Sequence, residues 1–289
     1  MQKITIEFIN WGAIINLKWV KGGTFLKITV IQPPYFAGDT PDVEIAKFLI
    51  DELNASSADL VVLPEYSNAG GLSDPEKEMA ALPRAKVMLE AAQKAAKEKG
   101  CFVAVNVLEV RNEKLKNSTY LFDKKGEIAF VYDKIHLPPS EVALKVNYGD
   151  GNCTCEVDGI KFGFMTCYDV YYNEQIEHIA AFKPDVVLIP GYQRGERTDI
   201  IMAQAKLTAF RCNAFVARSS YSMNDDEKGG NTMIVAPDGK ILNNMGKNVG
   251  SITEEVDVKW KHTRPAGFGC GIVRNDDFIN DGLRPQIFK

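Results

Sequence analysis

Three reactive side chains each follow an apolar run that is typical of a buried β-strand. Glu65 follows residues 60–64, Cys167 follows residues 162–166, and Lys134 follows another such run. Ligands of α/β proteins bind beyond the carboxyl ends of strands. We therefore expect these side chains to meet in one site, where a carboxylate, an ammonium and a thiol can perform nucleophilic catalysis.

Cys167 is the predicted nucleophile, because it lies between a predicted strand and a predicted helix. N–H groups at the start of a helix lower the pKa of a thiol and can hold an oxyanion. A thiol also needs a base, but none of the histidines has a convincing context, and we interpret His136 as structural. A buried carboxylate can serve instead, since burial raises its pKa. Glu65 is therefore the predicted base, and Lys134 would supply positive charge.

The sequence around these residues resembles the nitrilase, or carbon-nitrogen hydrolase, superfamily, in particular its amidase-like branch. Leu-Pro-Glu65 resembles the glutamate motif of the family, Asp-Lys134-Ile-His-Leu its lysine motif, and Thr-Cys167-Tyr-Asp its cysteine motif. The likeness spans about Leu26 to Phe288, and Glu141 matches an additional glutamate that many members place near the substrate. The resemblance implies an α/β fold, a four-layer α-β-β-α sandwich.

The resemblance also implies a role for each residue of the site. Glu65 would take the proton of Cys167, whose thiolate would attack an amide carbon and form a thioester. Lys134 and the backbone N–H of Tyr168 would stabilise the oxyanion. Water activated by Glu65, aided by Glu141, would then hydrolyse the thioester.

Residues that contact the substrate are predicted in two segments. Amide-hydrolysing relatives often carry arginine where this chain has Tyr171, and Tyr192 and Arg194 follow a predicted buried strand where relatives place substrate contacts. Arg194 and Arg197 together would suit a substrate carboxylate, although Glu196 could pair with either. The expected substrate is a small-molecule amide or carbamoyl compound, and a carboxylate on it is a further hypothesis.

Other functions remain open from the sequence alone. N-carbamoyl amino acid hydrolases and nitrilases use the same triad, although nitrile-cleaving members usually read Cys-Trp-Glu where this chain reads Cys167-Tyr-Asp. A catalytically silent member that binds a ligand or a partner protein is another alternative. Cys153 and Cys155 have the wrong spacing for a zinc site, and no nucleotide-binding motif is complete, so we expect no metal and no cofactor.

The elements that must position these residues alternate along the chain. From Leu26 onward, apolar runs of strand length alternate with amphipathic stretches, as in a layered α/β domain. Residues 58–64 and 184–190 are almost the same strand ending in proline. Two similar halves related by a pseudo-twofold axis would explain this likeness, and so would chance similarity between two buried strands.

Length and composition limit the remaining possibilities. With 289 residues, we expect an N-terminal extension over 1–24 and a single domain over 25–289. The net charge of −4 disfavours nucleic acid as a partner, and no apolar run is long enough to span a membrane. The six sparse cysteines fit a reducing cytoplasm. The resemblance further implies a homodimer or a higher homo-oligomer.

Overall fold

Fourteen strands and seven α-helices make up the described part of the chain. The computed structural model describes residues 23–35, 40–72, 74–284 and 287. The strands are β1 (Phe25–Gln32), β2 (Leu60–Val62), β3 (Phe102–Arg111), β4 (Lys114–Phe122), β5 (Ile128–Asp133), β6 (Thr154–Val157), β7 (Ile160–Phe164), β8 (Val186–Pro190), β9 (Phe215–Ser219), β10 (Met233–Val235), β11 (Ile241–Asn244), β12 (Gly250–Asp257), β13 (Thr263–Pro265) and β14 (Ile272–Arg274). The expected N-terminal extension lies, except for residues 23 and 24, outside the described residues.

The helices lie between these strands in the expected α/β order. They are α1 (Pro41–Ala55), α2 (Pro75–Ala80), α3 (Arg84–Lys99), α4 (Pro139–Ala143), α5 (Asn173–Phe182), α6 (Thr198–Cys212) and α7 (Asn275–Asn280). The Ala-rich helix α3 ends at Gly100 as predicted, because this glycine adopts the left-handed conformation with φ of 63°. None of the described helices is long and apolar enough to cross a membrane.

Two six-stranded sheets form the centre of the fold. The first sheet has the order β12-β1-β2-β3-β4-β5, and the second has the order β11-β10-β9-β8-β7-β6. In each sheet the three consecutive strands β1 to β3 or β7 to β9 are parallel. The remaining neighbours are antiparallel, and β12 pairs with β1 from far along the sequence. The pattern of apolar runs did not predict this edge strand.

The alternation of side chains along each strand produces the layers. Leu60 and Val62 of β2 pack into the core between the sheets. Val61, between them, packs with residues of α1 and α3 instead. Phe102 of the first sheet and Phe162 of the second meet with ring centroids 5.5 Å apart. With α5 and α6 packed on the second sheet, the predicted four-layer sandwich is confirmed.

The two strands with nearly identical sequences hold equivalent positions. β2 is the middle strand of the parallel set in the first sheet, and β8 is the middle strand of the parallel set in the second. Both are buried along their whole length. This correspondence favours two similar halves over chance similarity.

Strand direction determines where the reactive side chains emerge. β3 runs parallel to β2, β4 runs antiparallel to β3, and β5 runs antiparallel to β4. β2 and β5 therefore point the same way, and the residues that follow them, Glu65 and Lys134, leave the first sheet at the same edge. Cys167 leaves the second sheet after β7.

Gly163 of β7 allows α5 to pack closely on the second sheet. A Cβ atom at this position would lie 2.5 Å from Cγ2 of Ile179, a distance that requires the helix or the strand to move. We predict that Gly163→Ala lowers the free energy of unfolding by about 1–3 kcal/mol through overpacking. Denaturant titration measures this, with Gly195→Ala, which meets no atom within 4 Å, as the control.

A double-variant cycle identifies the cause of that loss. Ile179→Ala removes the clashing methyl group, so Gly163→Ala is expected to cost less in the Ile179→Ala background than in the wild type. Equal costs in both backgrounds would contradict the steric explanation.

Candidate active site

The three predicted residues meet at one edge of the sandwich. The Lys134 Nζ atom lies 2.7 Å from Oε1 of Glu65 and 3.0 Å from the Glu141 carboxylate. Exposed fractions of these side chains are 1% for Lys134, 2% for Glu65 and 5% for Glu141. A buried ammonium between two carboxylates is thus the centre of the site.

Glu141 uses its two oxygen atoms differently. Oε1 accepts hydrogen bonds from the hydroxyl of Tyr66 at 2.6 Å, from Nδ2 of Asn117 at 2.8 Å and from Lys134 at 3.0 Å. Oε2 is buried and accepts no hydrogen bond from the described residues, although it lies near the ammonium of Lys134. This oxygen atom is available to accept a hydrogen bond from a ligand or a water molecule.

Asn117 joins the two carboxylates and was not predicted from the sequence. Its Nδ2 atom donates to Oε1 of Glu65 and to Oε1 of Glu141, both at 2.8 Å. Its own oxygen accepts a hydrogen bond from Nδ2 of Asn106 at 2.7 Å, which fixes the orientation of the amide. The backbone carbonyl of Asn117 also accepts a hydrogen bond from the backbone N–H of Lys134. Asn117 therefore positions all three charged groups.

Cys167 begins a short 3₁₀-helix directly after β7, with a φ of 49° in the left-handed region. This conformation is unfavourable for a residue with a Cβ atom, so the surroundings must hold it. Thr166 and Asp169 form a capping box around the turn, and Oδ2 of Asp169 also accepts a hydrogen bond from Tyr132 at 2.6 Å. The turn that carries the thiol is thus fixed to β5, the strand before Lys134.

The pKa of the Cys167 thiol is influenced by the Glu65 carboxylate and by the backbone N–H of Tyr192. Burial and the charge of Glu65 raise the pKa of this thiol, against the opposing effect of Lys134. The predicted lowering of the thiol pKa is therefore wrong for the free site, because burial outweighs the N–H groups. Burial likewise raises the pKa of Glu65, as predicted for a carboxylate base.

Lys134 stays protonated in this environment. Burial alone lowers the pKa of its ammonium, but the two adjacent carboxylates raise it by more, so the net shift is upward. The lysine therefore provides a fixed positive charge beside Cys167.

A cavity of about 180 Å³ opens at this cluster. Glu65, Lys134, Glu141 and Cys167 all line it. The other lining residues with polar groups in their side chains are Tyr66, Glu78, Ser140, Tyr192 and Arg194. The volume corresponds to a small molecule rather than to a polymer.

The predicted substrate-binding residues divide into two groups. Tyr192 and Arg194 line the cavity, whereas Tyr168 and Tyr171 do not. Tyr171 is 44% exposed, and its hydroxyl contacts Glu196 on the surface. The hydroxyl of Tyr171 thus ties the loop after β8 instead of reaching the cavity.

Arg197 also differs from its predicted position. It is 69% exposed and holds Asp199 with two hydrogen bonds, of 3.1 and 2.6 Å. It does not line the cavity, so the two-arginine clamp predicted from the sequence is not formed and only Arg194 remains.

Tyr221, which follows β9 of the second sheet, supports the cavity wall through contacts with Glu65 and Tyr192. The hydroxyl of Tyr221, after β9, donates to the backbone carbonyl of Glu65 at 2.7 Å. Its ring lies 4.5 Å from the ring of Tyr192.

His136, interpreted as structural, contacts Asp169, stacks on Tyr172 and does not line the cavity. Within the described ranges, no group of three or more histidine, cysteine, aspartate or glutamate residues is arranged to hold a metal ion.

A family model described as Carbon-nitrogen hydrolase matches residues 27–264. The chain belongs to the carbon-nitrogen hydrolase family. The match covers both sheets and all four residues at the centre of the cavity, and it confirms the superfamily and the enzyme class predicted from the three motifs.

Similar proteins include two amidases. A 2-oxoglutaramate amidase of Bacillus subtilis (strain 168) is 27% identical over 229 residues, covering 75% of this chain and 85% of that protein. An (R)-stereoselective amidase of Pseudomonas sp is 29% identical over 248 residues, covering 81% of this chain and 85% of that protein.

Solved structures show the same fold as this carbon-nitrogen hydrolase. A mutant of the amidase from Nesterenkonia sp. AN1, in complex with butyramide, matches with a TM-score of 0.71. The identity is 17%, and the match covers 91% of this chain and 95% of that chain.

Sequence reasoning missed Tyr66, Glu78 and Asn117, which line or hold the cavity. Tyr66 directly follows the predicted base, which was an available signal. Asn117 is a polar residue that begins the buried part of β4, another signal that could have been used. Glu78 lies in the short helix α2, and its sequence context gave no indication of a site.

The buried charges predict how stability depends on pH in one variant. Lys134→Met leaves the carboxylates of Glu65 and Glu141 buried without their cation, which costs about 3–5 kcal/mol of unfolding free energy near pH 8. The folded pKa of Glu65, already raised by burial, then rises further above the unfolded value of about 4.3, because the ammonium that lowered it is gone. The loss is therefore expected at high pH and should shrink as the pH falls toward 5.

Urea denaturation at pH 8 and pH 5 measures this dependence. Lys86→Met, which removes a lysine that is 81% exposed, is the control and should change stability little at either pH. A loss that is equal at both pH values would contradict the assigned charges.

Proposed function

We propose that this carbon-nitrogen hydrolase cleaves the carbon-nitrogen bond of a small linear amide through a thioester on Cys167. The observation that carries the proposal is the common cavity of a thiol, a carboxylate with a raised pKa and a fixed ammonium. The names of the two similar amidases support an amide rather than a nitrile.

In the first half of the reaction, Glu65 takes the proton of Cys167 as the sulfur attacks the amide carbon. The oxyanion that forms is stabilised by the ammonium of Lys134 and by a backbone N–H, for which we propose Tyr168. Glu65 then returns the proton to the leaving nitrogen atom, the carbon-nitrogen bond breaks, and ammonia or an amine departs. The acyl group remains bound to sulfur.

In the second half, water replaces the amine. Glu65 removes a proton from the water molecule, and the resulting hydroxide attacks the thioester carbon. Glu65 then returns that proton to the sulfur as the carbon-sulfur bond breaks, which gives a carboxylic acid and the thiol. We assign to Glu141 the orientation of the amide and the water, because its Oε2 atom is buried and accepts no hydrogen bond from the described residues. The site uses no cofactor in this scheme.

Three further expectations from the sequence, on domain organisation, location and self-association, remain proposals. We propose that residues 25–289 form one domain, supported by the pairing of β1 with β12, and that this domain works in the cytoplasm without nucleic acid or membrane.

We propose self-association of this domain. Large apolar side chains are exposed in its C-terminal part, at Phe268, Ile272, Leu283 and Ile287. A second copy covering them would remove apolar area from water.

The nucleophile is tested by substitution. Cys167→Ala is expected to lower ammonia release by roughly four orders of magnitude, and Cys167→Ala with Glu65→Gln should lose little more, because both residues serve one covalent step. The assay uses panels of amides, omega-amido acids, N-carbamoyl amino acids and nitriles. Cys155→Ala, which changes a partly exposed cysteine outside the cavity, is the control.

The competing functions give different results in the same experiment. Turnover confined to carbamoyl compounds or nitriles would replace the amidase proposal with one of those activities. No turnover of any compound, with thiol labelling no faster at Cys167 than at Cys155, would favour a silent binding protein. Wild-type turnover in Cys167→Ala would exclude the thioester.

The base is tested by the pH dependence of turnover. Glu65 must be ionised to act, and its pKa is raised above the ordinary 4.5 by burial. We expect kcat/KM for an uncharged amide to fall as the pH decreases, with a midpoint above 4.5 while circular dichroism shows the protein still folded. A midpoint at or below 4.5 would contradict the assignment of Glu65 as the base.

A further inference from the structure

Two charged side chains of the cavity have no part in the proposed chemistry. Glu78 of α2 and Arg194 of the loop after β8 both line the cavity that contains Cys167. Within the described part of the chain, no ion pair is formed by either side chain, and the Glu78 carboxylate accepts no hydrogen bond. A carboxylate and a guanidinium thus face the same space without contacting each other.

Arg194 is held in place but keeps most of its donors free. Its guanidinium lies over the ring of Tyr192, 4.7 Å from the centroid, and forms one long hydrogen bond of 3.4 Å with the hydroxyl of Tyr35. A guanidinium has five N–H donors. The neighbouring Arg197 differs, because its charge is already paired with Asp199.

Glu78 lacks a compensating cation at contact distance. Burial raises the pKa of its carboxyl group, and the charge of Arg194 lowers it by less. The positive charge of Arg194 therefore acts on Glu78 across the cavity, but it does not fully compensate the effect of burial on the Glu78 carboxylate. An ammonium group placed beside Glu78 would supply the missing partner.

We propose that Arg194 and Glu78 bind the two charged groups of a zwitterion, the carboxylate and the ammonium, so that the substrate is the side-chain amide of an α-amino acid. The inference rests on the proposed function, since the amide itself must lie at Cys167. The carboxylate of the substrate accepts charge-assisted hydrogen bonds from Arg194, and its ammonium donates to Glu78. A cavity of about 180 Å³ limits the substrate to this size class.

The charges of Glu78 and Arg194 also disfavour the binding of other amides. A substrate with a carboxylate alone meets repulsion from Glu78, and a substrate with an ammonium alone meets repulsion from Arg194. A neutral amide leaves both charges unpaired. Specificity therefore comes from repulsive as well as attractive contacts.

Four amides of similar length separate these cases. Glutamine carries both charges, glutaramic acid carries only the carboxylate, 4-aminobutyramide carries only the ammonium, and butyramide carries neither. For the wild-type enzyme we expect kcat/KM for glutamine to exceed that for each singly charged amide by about tenfold or more.

Variants should change these ratios in opposite directions. Glu78→Gln is expected to shift the preference toward glutaramic acid, and Arg194→Gln toward 4-aminobutyramide. The matched controls are Glu76→Gln on the same helix and Arg197→Gln on the same loop, neither of which lines the cavity, and they should keep the wild-type ratios. Wild-type preference for a singly charged amide, or unchanged ratios in Glu78→Gln, would overturn the proposal.

A binding measurement separates this inference from the proposed function. Calorimetry with the Cys167→Ala variant reports glutamine affinity without any hydrolysis. Tighter binding of glutamine than of glutaramic acid, lost on adding Glu78→Gln, supports the zwitterion site even if no amide is cleaved. Equal binding of the two compounds overturns the site even if butyramide is hydrolysed and the proposed function holds.

Discussion

A lysine ammonium almost completely removed from water is the constraint on which this site depends. Lys134 is stable there only because two carboxylates lie within 3.0 Å of it, since an unpaired buried charge costs several kcal/mol. One ammonium and two carboxylates leave one negative charge in excess. Burial is the main cause that raises the pKa of Glu65 and the charge of Glu141 adds to it, whereas the ammonium of Lys134 opposes both. The same burial that requires the lysine to be paired thus raises the pKa of the adjacent carboxylate.

Neutral side chains give the charged cluster its geometry. Asn117 donates to both carboxylates, and Asn106 fixes the orientation of Asn117, so the amide cannot rotate without losing hydrogen bonds. On the other sheet, Asp169 locks the strained turn of Cys167. The cluster and the thiol are each rigid before they meet, which reduces the rearrangement needed during a reaction.

Most of the charged and aromatic lining of the cavity could be predicted from the sequence, including Tyr192 and Arg194, whereas Glu78 could not. Glu65, Lys134 and Cys167 follow strands, and strand ends can be identified locally. Arg194 and Arg197 have the same local context, and only packing separates the free guanidinium from the one that holds Asp199. Glu78 reaches the cavity from a separate helix, and β12 joins β1 across more than two hundred residues. Such placements depend on tertiary contacts that no short pattern contains.

The pKa of the Cys167 thiol shows the same difference between effects that the sequence predicts and effects that depend on tertiary packing. Proximity to helix N–H groups could be inferred from the sequence and would lower the pKa of Cys167. Burial and the charge of Glu65 oppose that effect and depend on the packed structure. Their combined effect is larger, so the net shift of the thiol pKa is upward.

The contact between Tyr221 and the backbone of Glu65 has a consequence for biosynthesis. The first sheet supplies Glu65 and Lys134 early in the chain, while the hydroxyl that donates to the backbone carbonyl of Glu65 at 2.7 Å comes from a segment 156 residues later. The edge strand β12, which closes the first sheet, is made later still. A nascent chain on the ribosome therefore lacks the finished cavity until Tyr221 and β12 have emerged.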